Sequence, residues 1–156
     1  MSAGRNATET WLIAHQATAE FLRFAASVHT VEEAVSVSGQ PAGRITKSIA
    51  MVTASGALVI AVVPAASRAS TERVRKVLGI AARPRLATAE ETEQRLGQQL
   101  GGVSPFDARD ATVIVDPQVL AQDWVLTGGG DALSLVKIDI AELTRLVSYT
   151  EARVRK

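Results

Sequence analysis

One lysine and two glycine-rich stretches are the residues of this sequence best suited to chemistry. Lys47 falls within Arg44–Val52, where Ile45, Lys47, Ile49 and Met51 share one face if the segment is a strand. A lysine in register with isoleucine and methionine either snorkels to solvent or points into a polar cavity. The stretch Gly97-Gln98-Gln99-Leu100-Gly101-Gly102-Val103-Ser104-Pro105-Phe106 has too many glycines for a helix and no alternation for a strand. It is either an ordinary surface connection or a loop whose backbone comes close to a ligand, which the missing Cβ permits. Gly128-Gly129-Gly130-Asp131 is a second such turn. Backbone amides, hydroxyls and one ammonium can orient a water and stabilise an oxyanion without any protein nucleophile.

Other chemistries find no support. No GxGxxG follows a strand, and neither a Walker sequence, an HExxH nor a GxSxG elbow occurs. The absence of cysteine removes thiol catalysis, disulfides and thiolate metal sites together. Only two histidines are present: His15 reads as a helix residue, and His29 as either a structural polar group or a pocket liner. No cluster implies a metal or a cofactor.

Several elements must position these groups. Trp11, Leu12, Ala14, His15, Ala19, Phe21, Leu22 and Ala25 have helical spacing, which predicts a helix over about 7–26 capped by Thr8, after an irregular start over residues 1–6. Thr30 with Glu33, and Thr88 with Glu91, have capping-box spacing, and Gly39, Gly79 and Gly97 stop the helices before them. Ser70 or Thr71 opens a further helix. Ala57–Val63 is a wholly apolar run, the mark of a central strand, joined to the Lys47 strand through the Ser55-Gly56 turn. Arg85–Ala87, Ala111–Asp116, Trp124–Thr127 and Ala132–Ile138 read as strands, Pro117–Ala121 as a helical turn, and Asp139 as the cap of a last helix. The tight turns demand antiparallel pairs, so the expected fold is an α/β (α+β) mixed sheet surrounded by helices, in one domain over 1–156.

The totals agree with a globular chain. Hydrophobic residues make up 47% and aromatics 4%, so Val, Leu, Ile and Ala must build the core, and the scarcity of rings argues against an aromatic platform for single-stranded nucleic acid. A net charge of +1 leaves no global field, so any nucleic-acid contact must come from a local basic patch. No apolar run reaches the length of a membrane span, and no basic-then-apolar secretory pattern opens the chain. The cytoplasm is the expected location, with no membrane partner.

Taken in order, His29-Thr30-Val31-Glu32-Glu33-Ala34, Ile45-Thr46-Lys47-Ser48, Gly101-Gly102-Val103-Ser104-Pro105-Phe106 and Gly128-Gly129-Gly130 resemble the YbaK/prolyl-tRNA editing domain family over about Val28–Val147. The resemblance implies a curved, barrel-like sheet with helices around it. It also implies trans-editing hydrolysis of the ester of a mischarged aminoacyl-tRNA, typically tRNA(Pro) carrying a small residue such as Cys or Ala. Lys47 matches the family's site lysine, and Gly101 and Gly102 match the loop that approaches the aminoacyl group. By the same resemblance Ser104, Pro105 and Phe106 wall the pocket, Gly128, Gly129 and Gly130 form its opposite rim, and Thr30 and Ser48 are polar liners. Asp131 either binds an α-amino group or closes a turn. Alanine-specific members tend to carry asparagine after the lysine, where this chain has Ser48, and family members often have glycine where it has Asp107. The implied partners are the 3′ acceptor end of aminoacyl-tRNA and a prolyl-tRNA synthetase. The alternatives are a non-catalytic module that binds aminoacyl-tRNA or a synthetase, and a fold relative acting on another small ester or nucleotide.

Overall fold

The computed structural model describes residues 5–156. In chain order the elements are α1 (Ala7–Ala14), β1 (Ala19–Arg23), α2 (Val31–Ser38), a 3-10 turn at Ala42–Arg44, β2 (Thr46–Val52), β3 (Leu58–Pro64), α3 (Thr71–Leu78) and β4 (Arg85–Leu86). They continue with α4 (Ala89–Leu96), β5 (Thr112–Val115), α5 (Pro117–Leu120), β6 (Trp124–Gly128), β7 (Ser134–Asp139), α6 (Ile140–Leu146) and β8 (Thr150–Glu151). The fold is therefore the expected mixed α/β arrangement.

Its strands form a five-stranded sheet of order β4-β2-β3-β5-β8 and a three-stranded sheet of order β1-β7-β6. The β2–β3 and β6–β7 hairpins are antiparallel, as the two tight turns require. β3 also pairs in parallel with β5, an association across α3, β4 and α4 that no local turn announces. The sheets meet through a parallel bridge between Ile45 and Leu126, where the Thr46 hydroxyl donates to the Leu126 carbonyl at 3.3 Å. No closed barrel forms among the described residues.

Burial on both faces explains the unbroken apolar run of β3. Leu58, Ile60 and Val62 join Ala50, Val113 and Val115 in the core between the sheets, opposite Val125, Val136 and Ile138. Val59, Ala61 and Val63 point the other way, under Val74 of α3 and beside Val154. A third cluster forms where Ala34 of α2 packs with Ile45, Leu126 and Leu135.

The N-terminal helix is shorter than its spacing predicts. Of the irregular start expected over 1–6, residues 1–4 lie outside the described residues, while Asn6 caps α1 by accepting from the Glu9 N–H at 2.9 Å. The expected cap, Thr8, is instead buried within the helix. Gln16 takes a positive φ of 54°, which ends the helical path. Ala19–Arg23 then pairs with β7, sending Phe21 to the core between the sheets and Leu22 to the α2 side. The segment 19–26 thus departs from the expected helix because a strand partner more than a hundred residues away outweighs its local pattern.

Candidate active site

A cavity of about 260 Å³ lies between the first half of β2, the start of α2, β4 and the Gly97–Phe106 loop. Both predicted capping boxes are present and aim the walls. Thr30 accepts from the Glu33 N–H at 3.1 Å and fixes the entry of α2, so that His29 and Thr30 face the cavity. Thr88 and Glu91 cap α4, which ends at Gly97 and delivers the chain to the loop.

Lys47 is among the lining residues, half-buried, and its ammonium makes no hydrogen bond or ion pair with any described residue. Burial pushes its ammonium pKa down, and the nearby charge of Arg68 adds to the effect. Thr30, Ser48, Gly101 and Gly128 share the cavity with it. Gly101 has a φ of +91°, and a Cβ there would come within 2.8 Å of the His29 ring, so glycine is required by conformation and by contact. Its N–H meets no backbone acceptor among the described residues.

His29, which sequence left open between two roles, is a cavity residue. Its Nδ1 lies 3.3 Å from the Ser27 hydroxyl and 3.8 Å from the Glu33 carboxylate. The Ser27 hydroxyl and the Thr30 N–H both donate to that carboxylate and hold the Glu33 pKa below its ordinary value. The signals of His29 in the sequence are its place one residue before a capping box and at the head of the first motif of the family resemblance.

Seven of the expected site residues lie elsewhere. Ser104 and Phe106 do not wall the cavity, because both are fully buried in a polar latch. The Ser104 N–H donates to Gln98 Oε1 at 2.7 Å, and Gln98 Nε2 donates to the Phe106 carbonyl at 3.1 Å. Pro105 lines a separate recess beside Trp11 and Arg109. Gly102 faces the backbone of Asp131 rather than open space. Gly129 and Gly130 likewise pack on Ser134 and Thr8. Asp131 closes a turn by accepting from the Leu133 N–H at 2.9 Å, and Asn6 Nδ2 donates to its other oxygen at 2.8 Å. These residues shape the cavity from behind by locking the two glycine loops together: the Gln99 N–H donates to the Gly130 carbonyl and the Gly130 N–H to the Gly102 carbonyl.

The arrangement brings Lys47, Gly101 and His29 together around a mostly apolar hollow. Among the described residues no group of three or more His, Asp or Glu is placed to hold a metal ion. No described helix is long and apolar enough to cross a membrane.

Comparison with known proteins gives this geometry a context. The aminoacyl-tRNA editing domain family matches residues 25–146. A proline–tRNA ligase of Solidesulfovibrio magneticus is 29% identical over 126 residues, which are 80% of this chain and only 22% of that ligase. A candidate trans-editing enzyme for prolyl tRNA synthetase has a crystal structure that superposes with a TM-score of 0.81 at 26% identity, covering 96% of this chain and 92% of the other. A hypothetical protein of solved structure superposes with a TM-score of 0.84, also at 26% identity, over 95% of this chain and 98% of its own. Matched over most of its length and sharing the architecture of these structures, the chain belongs to the aminoacyl-tRNA editing domain family.

Proposed function

We propose that the protein hydrolyses the ester of mischarged aminoacyl-tRNA in trans, with tRNA(Pro) bearing a small non-cognate residue as substrate. The observation that carries this reading is Lys47, half-buried with no partner for its ammonium among the described residues, lining an apolar cavity together with Gly101, whose N–H meets no backbone acceptor. At about 260 Å³ the hollow lies below the roughly 300–1,000 Å³ of drug-sized sites, which suits a small aminoacyl group with its ribose at the mouth. Family membership and the similarity to part of a proline–tRNA ligase support the substrate class and a synthetase partner. The cytoplasm, where charged tRNA is used, and a single editing domain over the chain belong to the same reading.

The chemistry needs no protein nucleophile. A water attacks the ester carbonyl carbon, and the carbonyl oxygen becomes an oxyanion that the Gly101 N–H stabilises. The bond to the ribose oxygen then breaks, and that oxygen takes up a proton originating from the water. Free amino acid and uncharged tRNA result. Lys47 balances the negative charge of the terminal nucleotide and polarises the ester.

The test is deacylation of tRNA(Pro) charged in turn with Ala, Cys, Ser, Thr and Pro, by wild type and by Lys47→Ala. Selective loss of a non-cognate species, reduced at least tenfold in the variant at unchanged thermal midpoint, is expected. Tight binding of every species with no hydrolysis would reassign the protein as a binding module.

A further inference from the structure

Three residues with hydroxyl side chains, Thr30, Thr46 and Ser48, are among those lining the cavity. Two are already committed to the protein: Thr30 Oγ1 caps α2, and Thr46 Oγ1 donates to the Leu126 carbonyl. Ser48 Oγ is buried and has no partner, in a residue only 8% exposed. Its surroundings in the cavity are apolar, with Ala34, Ile45, Ala50, Ala65, Ala87 and Val103 among the lining. A buried hydroxyl without a partner is unfavourable, and alanine in its place would remove that cost. Side chains alternate along β2, so Ser48 lies on the inner side with Thr46 and Ala50 while the more exposed Lys47 lies on the other.

We propose that Ser48 reads the side chain of the esterified amino acid and favours one with a hydroxyl or thiol on its β-carbon over its apolar counterpart. The inference rests on the cavity being the aminoacyl site. With the nucleotide end held at Lys47, the amino-acid side chain enters between the apolar walls. A turn of the Ser48 χ1 then gives its hydroxyl a partner. An apolar side chain of equal size fills the same space and leaves Ser48 unpaired. Discrimination therefore follows from a hydrogen bond, not from volume.

Matched pairs isolate that bond: seryl against alanyl, and threonyl against valyl, each on tRNA(Pro). In wild type the polar member of each pair should be hydrolysed with the higher kcat/KM. Ser48→Ala should lower that preference about five- to tenfold, the worth of one hydrogen bond, by slowing the polar esters and leaving the apolar ones within about twofold. The thermal midpoint should not fall, because the variant removes an unpaired hydroxyl. Ser134→Ala serves as the control: among the described residues Ser134 Oγ is the other buried hydroxyl without a partner, but Ser134 does not line the cavity, so the preference should stay. An unmoved preference in Ser48→Ala, or equal slowing of all four esters, overturns the inference while editing itself stands. Hydrolysis of no ester by wild type overturns the editing reading and this inference with it.

Discussion

Lys47 and Arg68 are two cations close enough for one to disfavour protonation of the other. Arg68, exposed in the turn after β3, forms no ion pair with a described residue either. Such a pair awaits an anion, which the phosphate of a terminal nucleotide would supply. The pH dependence follows from the direction of the shift. Burial first and Arg68 second hold the Lys47 pKa below the ordinary 10.5, so activity that needs the ammonium declines at a lower pH than an unperturbed lysine would allow. Arg68→Gln removes only the smaller cause. The basic limb of kcat/KM, corrected for uncatalysed ester hydrolysis, should move upward in that variant without reaching 10.5. A limb that stays in place would detach it from Lys47. Sequence singled out Lys47 because a charge among Ile45, Ile49 and Met51 breaks a pattern, whereas nothing local marks Arg68 or makes Ser48 the one uncommitted hydroxyl among the residues lining the cavity. Ser104 and Phe106 were misplaced for the converse reason: motif position does not reveal that Gln98, from the same loop, turns both into interior structure.

At the scale of elements, the two glycine stretches are legible as loops but not as a single interlocked unit. A Cβ on Gly102 would strike the Asp131 backbone, and one on Gly128 would strike the Val103 carbonyl. Asn6 braces the assembly from α1, capping the helix through its oxygen while its nitrogen donates to the Gly129 carbonyl at 2.7 Å and to Asp131. The glycines therefore serve contact between loops, and under the proposed function they act through the placement of Gly101. Gly102→Ala should cost about 1–3 kcal/mol of stability, since backbone rather than a yielding side chain opposes the new methyl. It should also lower turnover by shifting Gly101 off the cavity. Thermal unfolding beside deacylation separates the outcomes: lost turnover at an unchanged midpoint would return Gly102 to direct contact with substrate. Caps and stops were readable here because a box such as Thr88 to Glu91 acts over one helical turn. The strand at Ala19–Arg23 was not, because its partner is β7.

Across the whole molecule, the pairings that close the fold join distant segments, and the last of them ties the C-terminus to the site. β8 adds in parallel to β5, and Val154 is buried beside Val74. Asp116, fully buried at the end of β5, accepts from the Val154 and Arg155 N–H groups at 3.0 and 3.1 Å and from the Arg155 guanidinium at 2.7 Å. Burial alone would raise its carboxyl pKa, but these donors and the Gln118 N–H outweigh burial and hold it below the ordinary value. A depressed folded pKa gives stability that is present above the unfolded value, about 3.9, and lost as pH falls below it. The strap so anchored reaches the segment of Arg68, because Ala69 bridges Arg155 and the Lys156 N–H donates to the Arg68 carbonyl at 2.8 Å. Asp116→Ala leaves the Arg155 charge and three backbone donors without their acceptor. At neutral pH it should cost about 3 kcal/mol, by analogy with broken buried ion pairs. Because the strap then no longer fixes Arg68, the basic limb of kcat/KM should also rise, in the same direction as in Arg68→Gln but by less. Calorimetry and the pH profile of one variant test both steps. A fall in midpoint with an unmoved limb would confine the strap to stability, and an unmoved midpoint would refute the anchor itself.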